Sequence, residues 1–408
     1  MSDRAKAERS DGLGRRELLD ELLAVVGLSG LAGCSDLGGL TGERTDSVDS
    51  DELDFVDSET DLEPPVPPSV PVQIDTEFLR QNRERVVTLL STLPVTLGPE
   101  EIPNGYVRQK LTEAAADATA ALDDARTAAT PLLALQALQS GREAARFAAA
   151  GWAFADRGLS ANSLREELNT TVVAAREASE KHEYLGGDRV RAVAVHRRIE
   201  MQLYRARRSE VEPSGDDGSQ LLRVAELGRT AESARAHLTA GRHLSEQFAR
   251  SLPSDAGSVR NPITRAARRL FETVRSKQSE LPPEPTADDW GVPEQLVDEL
   301  RWRVDTEDIG LADAVGPASA VSEALRLLTH VRALDWATRK IDAGEIGSVE
   351  SVARVESIRD AAYDALGDAQ RRSPAPALSQ PVPTDAGWTL VAADRRLTRL
   401  SGDVSVRQ

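Results

Sequence analysis

Between Leu227 and Leu252 the apolar and small residues recur at alternating spacings of four and three: Leu227, Ala231, Ala234, Leu238, Gly241, Ser245, Phe248 and Leu252. A second run, Ala320, Ala324, Leu327, Val331, Leu334, Thr338 and Ile341, has the same rhythm. A spacing that averages about 3.5 residues keeps a seam on one side of a helix, and such a seam is stable only when another helix covers it. Ala and Leu supply most of the apolar positions, and aromatic residues make up only 4% of the chain. Ala has the highest helix propensity, and small side chains let helices approach closely. The predicted fold is therefore all-α, built of antiparallel helical bundles, with no segment that reads as a convincing strand.

Helix starts and stops support that reading. Thr130-Pro131 and Asn261-Pro262 each place a cap residue before a proline at the first helical position. Ser163-x-x-Glu166 has the form of a capping box, and Asp75, Ser219 and Ser319 are further start residues. Breaks fall at Pro94–Pro103, Gly158, Gly186-Gly187, Pro213–Gly218, Leu252–Gly257, Pro282–Pro285, Gly344–Gly347 and Pro374–Pro383. The expected organisation is one bundle over 73–212 and a second over 219–400, the latter with a Pro-rich break at 373–384. Leu122, Asp124, Ala125, Ala129, Leu138, Ala144, Ala148 and Gly158 recur at a constant offset as Leu311, Asp313, Ala314, Ala318, Leu327, Ala333, Ala337 and Gly347. Two related bundles and a coincidence of Ala/Leu-rich composition both account for that recurrence.

Ahead of the helices lies a linker, residues 34–72. Eleven acidic residues from Asp36 to Glu63 face Arg44 alone, and Pro64, Pro65, Pro67, Pro68 and Pro71 close it. Such a segment buries too little to fold, and its charge keeps it expanded. As a random coil it spans roughly 35 Å.

Residues 1–33 read as an address. Arg15-Arg16-Glu17-Leu18-Leu19 is followed by the apolar run Leu22–Gly33 and then by Cys34, the single cysteine. The run is too short to span a bilayer, which takes about 20 residues, but suits the core of a signal peptide. Arg15-Arg16-x-Leu18-Leu19 resembles the twin-arginine export signal, and Leu31-Ala32-Gly33-Cys34 resembles a lipobox. Together they resemble the N-termini of haloarchaeal-type exported lipoproteins. That resemblance implies cleavage before Cys34 and a lipid on its thiol, and hence a chain held on the extracytoplasmic face of the cell membrane. The alternative from the residues alone is an amphipathic helix over Arg15–Ala32 in a cytoplasmic protein.

The formal charge is -17 and the pI about 4.9. Lys6, Lys110, Lys181, Lys277 and Lys340 are the only lysines; Arg supplies the other cations. Abundant carboxylates with scarce lysine resemble the proteins of extreme halophiles. In molar salt the Debye length is about 3 Å, so a dense carboxylate surface hardly repels itself. With no basic stripe, the composition weighs against nucleic acid, and no nucleic-acid partner is expected.

The search for chemistry returns little. The five histidines, His182, His196, His237, His243 and His330, form neither Glu-x-x-His nor His-Glu-x-x-His. No nucleophile elbow, Walker loop or dinucleotide fingerprint is present. Gly241-Arg242-His243-Leu244-Ser245-Glu246 resembles the Gly-x-His-x-x-Glu motif of imelysin-like proteins, which implies a metal site on His243 and Glu246. At 100° per residue both side chains face away from the Leu227–Leu252 seam, so both are expected in solvent unless a second helical layer covers them. His196 and Glu200 form an i,i+4 pair, which contributes a few tenths of a kcal/mol to a helix. His237 and His330 flank seams as structural imidazoles. Trp152, Trp290, Trp302, Trp336 and Trp388 read as core or rim residues, or as a ligand platform. The expectation is a non-enzymatic, lipid-anchored helical protein without a cofactor. Its partners are the membrane and an unknown protein or small ligand. An imelysin-like metal-binding lipoprotein and an enzyme of unrecognised type are the alternatives.

Overall fold

A computed structural model describes residues 47–49, 67–209, 219–281, 291–304, 314–346, 352–373, 379–397 and 403–405. Arg15, Arg16 and Cys34, and with them the expected signal and lipidation site, lie outside the described residues. The fold is all-α. In chain order the described helices are α1 Thr76–Leu90, α2 Gly105–Thr127, α3 Pro131–Arg157, α4 Ala161–Glu180, α5 Arg189–Arg207 and α6 Gln220–Arg250. They continue with α7 Arg260–Gln278, α8 Val292–Val304, α9 Pro317–Asp342, α10 Val352–Arg372 and α11 Pro381–Leu397. None is long and apolar enough to cross a membrane.

The chain divides into two compact units. One holds residues 68–263 and 315–319; the other holds 264–314, 320–408 and 1–67. The expected boundary at Pro213–Gly218 is thus corrected. It marks a connection between α5 and α6, which pack against each other inside the first unit, and the division falls after Ile263 instead. Composition identifies a loop there; only the packing of α6 against α3, α4 and α5 shows which side of it the helix belongs to.

In the first unit α3 and α6 are the central helices. Leu227, Ala231, Ala234, Leu238, Gly241 and Phe248 of the predicted seam are all buried. At Gly228 an added Cβ would lie 2.5 Å from the Ala150 Cβ, so the two helices cross at a distance that only a hydrogen at this position permits. Thr130 caps α3 as expected, its Oγ1 accepting the Leu133 N–H at 3.2 Å. Gly158 ends α3 in the left-handed region, φ 66°. Asp75 and Ser219 precede α1 and α6. Ser163 is not a cap: Ser160 takes that role, accepting the Asn162 N–H, and Ser163 sits in the first turn. The α7 start is likewise earlier than Asn261, and Ser319 is already inside α9.

Two departures concern extended segments. Leu185–Gly186 (β2) pairs antiparallel with Gly257–Ser258 (β3), while Ser47–Asp49 (β1) pairs with Asp403–Ser405 (β4) in the second unit. Two or three residues are too few to display a period-2 pattern, which is why no strand was legible. The end of the expected linker is also more ordered than its composition suggested. Pro68 is buried, its carbonyl accepts from Thr130 Oγ1, and the Pro71 carbonyl accepts from Arg191 Nε.

In the second unit α10 and α11 pack through Ala362, Leu366, Ala369, Ala386 and Leu390. Asp394, almost fully buried, is held by Arg359 Nε at 2.9 Å and by the Tyr363 hydroxyl at 2.7 Å. The second predicted seam is buried from Ala320 through Leu334 and becomes half-buried at Thr338 and Ile341.

Candidate functional site

The structure gives His243 and Glu246 different partners. His243 was expected in solvent, but Phe78 of α1 lies flat against its ring, centroids 4.0 Å apart and planes within 5°. Its Nε2 accepts the Asp75 N–H at 3.2 Å, so that lone pair is already in use. Burial lowers the imidazole pKa against the raising fields of Asp75 and Glu246. Glu246 is exposed and pairs with Arg250 at 3.3 Å. Among the described residues no group of three or more His, Cys, Asp or Glu could hold a metal ion.

The ionisable side chains that the first unit does bring together lie elsewhere. Beneath the β2–β3 ribbon His196 reaches the Leu185 carbonyl with Nε2 at 2.8 Å, while its Nδ1 lies 3.0 Å from Nε2 of His182. With Nε2–H committed to a carbonyl, Nδ1 of a neutral His196 must accept, so His182 donates. Burial, with the charges of His196 and Arg260, takes His182 down to about 4, and burial lowers His196 as well. One helical turn on from His196, Glu200 is 5% exposed. Its carboxylate accepts the Tyr184 hydroxyl at 2.9 Å and the first backbone amides of α9, Ala318 at 2.9 Å and Ser319 at 2.6 Å. A helix N-terminus presents unpaired N–H groups and a partial positive charge, so it stabilises a carboxylate that burial alone disfavours. Burial still dominates, and the Glu200 pKa is raised. A cavity of about 170 Å³ adjoins this cluster, lined in part by His182, Tyr184, Glu200, Arg207 and Arg260.

A second polar group spans α3, α5 and α6. His237 Nδ1 lies 2.7 Å from Gln202 Oε1, which also accepts from Gln139 Nε2 at 3.0 Å. Burial, with Arg205 and Arg142 nearby, lowers His237 to about 4. A third group surrounds Glu232, which is fully buried. Arg142 donates to it at 2.6 and 2.8 Å and Arg85 at 2.8 and 3.1 Å, and Arg142 also reaches Asn82 at 2.7 Å. Burial would raise the Glu232 pKa; hydrogen bonds from Arg85 and the charge of Arg142 outweigh it and hold the group at about 2.

The second unit contains one histidine, His330, on α9. It lines a cavity of about 200 Å³ between α8, α9 and α11. Trp336 lines it too, whereas Trp302 is largely exposed, Trp388 is just under half exposed and Trp290 lies outside the described residues.

Of the residues that the sequence singled out, His196 and Glu200 do meet polar neighbours, but through Tyr184, His182 and the start of α9 rather than through each other. Nothing in the sequence marked Tyr184 or Arg142: Tyr184, just ahead of β2, meets Glu200 on α5, and Arg142 on α3 meets Glu232 on α6.

Comparison with protein families found two matches, which meet close to the division between the units. The model described as Domain of unknown function (DUF8262) matches residues 77–255, and Domain of unknown function (DUF8264) matches residues 260–408. Comparison with curated proteins and with solved structures found no match.

Proposed function

We propose that the chain is a lipid-anchored extracytoplasmic protein whose helical units serve a binding or structural role at the cell envelope, without catalysis. The observation that carries this reading is the order of residues around Cys34: paired arginines, a dozen-residue apolar run, two small residues, and the chain's single thiol. A lone lipid chain binds membranes only marginally, so a stable anchor here carries two chains. The acidic, Pro-rich segment beyond Cys34 then serves as the spacer that clears the lipid surface. The acidic, lysine-poor surface is an adaptation to molar salt, where carboxylate repulsion is screened.

Fractionation of cells expressing the native chain and Cys34→Ser tests the reading. The native chain is expected in the membrane fraction, extractable only by detergent, and the variant in the soluble fraction. A native chain that washes off in buffer overturns the anchor. The metal-binding alternative has its own test. Against it stands the Asp75 N–H on His243 Nε2. Chelator, iron, zinc and copper are each expected to leave the melting curve unmoved; a metal-dependent rise that His243→Ala abolishes would revive the alternative.

A further inference from the structure

The cavity of the second unit has an apolar body. Leu296 and Leu300 come from α8, Trp336 and Ala337 from α9, and Val382 and Ala386 from α11. At about 200 Å³ it exceeds the roughly 150 Å³ that suffices for benzene in an apolar protein interior. Its charged lining balances: Arg303 and Arg326 stand against Glu299 and Asp385. The arginines are also engaged. Arg303 donates to Glu299 at 2.8 and 3.0 Å, and Arg326 chelates Glu323. Neither guanidinium is therefore offered as the anchor for an anionic ligand.

One polar atom in this lining is different. Nδ1 of His330 is buried and has no hydrogen-bond partner. The neighbouring hydroxyl, Thr329 Oγ1, already donates to the Leu325 carbonyl at 2.8 Å. A backbone hydrogen bond to Arg303 holds the His330 ring, and burial, reinforced by Arg326 and Arg303, lowers its pKa to about 4. At neutral pH the imidazole is therefore uncharged. With its one proton on the side of the Arg303 bond, Nδ1 presents a bare lone pair. A buried acceptor left unpaired costs about 1–3 kcal/mol, so a ligand that brings a donor recovers interaction that an apolar analogue cannot. Ligand sites in helical bundles have this form, a mainly apolar wall with a few placed polar groups.

From this combination we infer that the cavity between α8, α9 and α11 binds a small neutral molecule. The ligand has an apolar body of about one ring and a single hydroxyl or N–H group that donates to His330 Nδ1. The site goes beyond the anchoring reading and does not depend on it.

The test uses the full-length chain and three probes of nearly equal size, phenol, toluene and benzoate, followed by ligand-observed NMR at neutral pH. Phenol is expected to bind saturably and about tenfold more tightly than toluene, the equivalent of one net hydrogen bond. Benzoate is expected to bind more weakly than phenol, because the lining has no spare cation. His330→Leu should abolish the preference for phenol over toluene while toluene binding persists. Ala337→Phe fills the cavity and should remove both. Should that variant fail to fold, Thr389→Trp at the exposed rim blocks the same cavity from outside the core. The proposal is overturned if neither phenol nor toluene binds saturably, if benzoate binds most tightly, or if His330→Leu keeps the preference for phenol. It is overturned equally if a folded cavity-blocking variant binds phenol as the native chain does.

Discussion

Four histidines in the first unit and one in the second differ at one ring nitrogen: only His330 has a buried nitrogen without a hydrogen-bond partner. His182, His196, His237 and His243 each commit a ring nitrogen to a partner within the first unit: another imidazole, a backbone carbonyl, a glutamine pair, a backbone amide. His330 leaves Nδ1 unpartnered beside a cavity. Buried polar groups are nearly always satisfied, so an exception beside a cavity calls for an explanation. The contrast teaches a division of labour. The histidines of the first unit act as struts between its segments, whereas that of the second keeps an acceptor in reserve.

Several substitutions can break or sharpen that contrast. Glu232→Ala has the largest expected effect. It strands the buried Arg142 guanidinium among α1, α3 and α6, and should cost about 3–5 kcal/mol in denaturant unfolding. A loss under about 1 kcal/mol would mean that the first unit does not rest on its buried ion network. His237→Leu comes next. It leaves Gln139 and Gln202 short of a partner, for an expected loss of about 1–3 kcal/mol.

Glu200→Gln has a smaller effect, with a diagnostic dependence on pH. The substituted amide keeps one acceptor oxygen but turns a donor toward an α9 amide, which should cost about 1 kcal/mol in acid. Glu200 is raised above the ordinary 4.5 by burial, so in the native chain its contribution is complete below 4.5 and fades as pH rises through its folded value. The variant lacks that titration, and its deficit should therefore shrink from pH 4 toward pH 7. A deficit that instead grows over this range would show that Glu200 is stabilised as a carboxylate. Glu232 has the opposite sign: held at about 2, its contribution is present above 4.5 and lost as pH falls toward 2. His330→Leu should be the mildest, a loss of about 1 kcal/mol, since it removes the bond to the Arg303 backbone but also replaces an unpaired buried nitrogen by an apolar side chain. A loss matching that of His237→Leu would remove the distinction between the two units.

Much of the architecture was legible in sequence because it is local. The spacing from Leu227 to Phe248 identified a buried face, and Thr130-Pro131 identified a helix start to the residue. What the sequence did not disclose depends on contacts between distant segments. His243 was expected in solvent because its own helix turns it from the seam; Phe78, which covers it, comes from α1. His196 and Glu200 have the spacing of an i,i+4 pair on one helix, yet Leu185, Tyr184 and the start of α9 claim them separately. The Pro213–Gly218 segment was taken for a division between bundles, because a loop and a domain boundary have the same composition. His330 was identified only as flanking a seam, since an unpaired nitrogen is a property of the space beside it.

The central functional claim rests on Cys34. Mass spectrometry of the chain recovered from detergent-extracted membranes tests it most directly. The account predicts an N-terminal peptide that begins at Cys34 and carries the mass of a two-chain lipid on its thiol. A chain that retains Met1 and an unmodified Cys34 would contradict it.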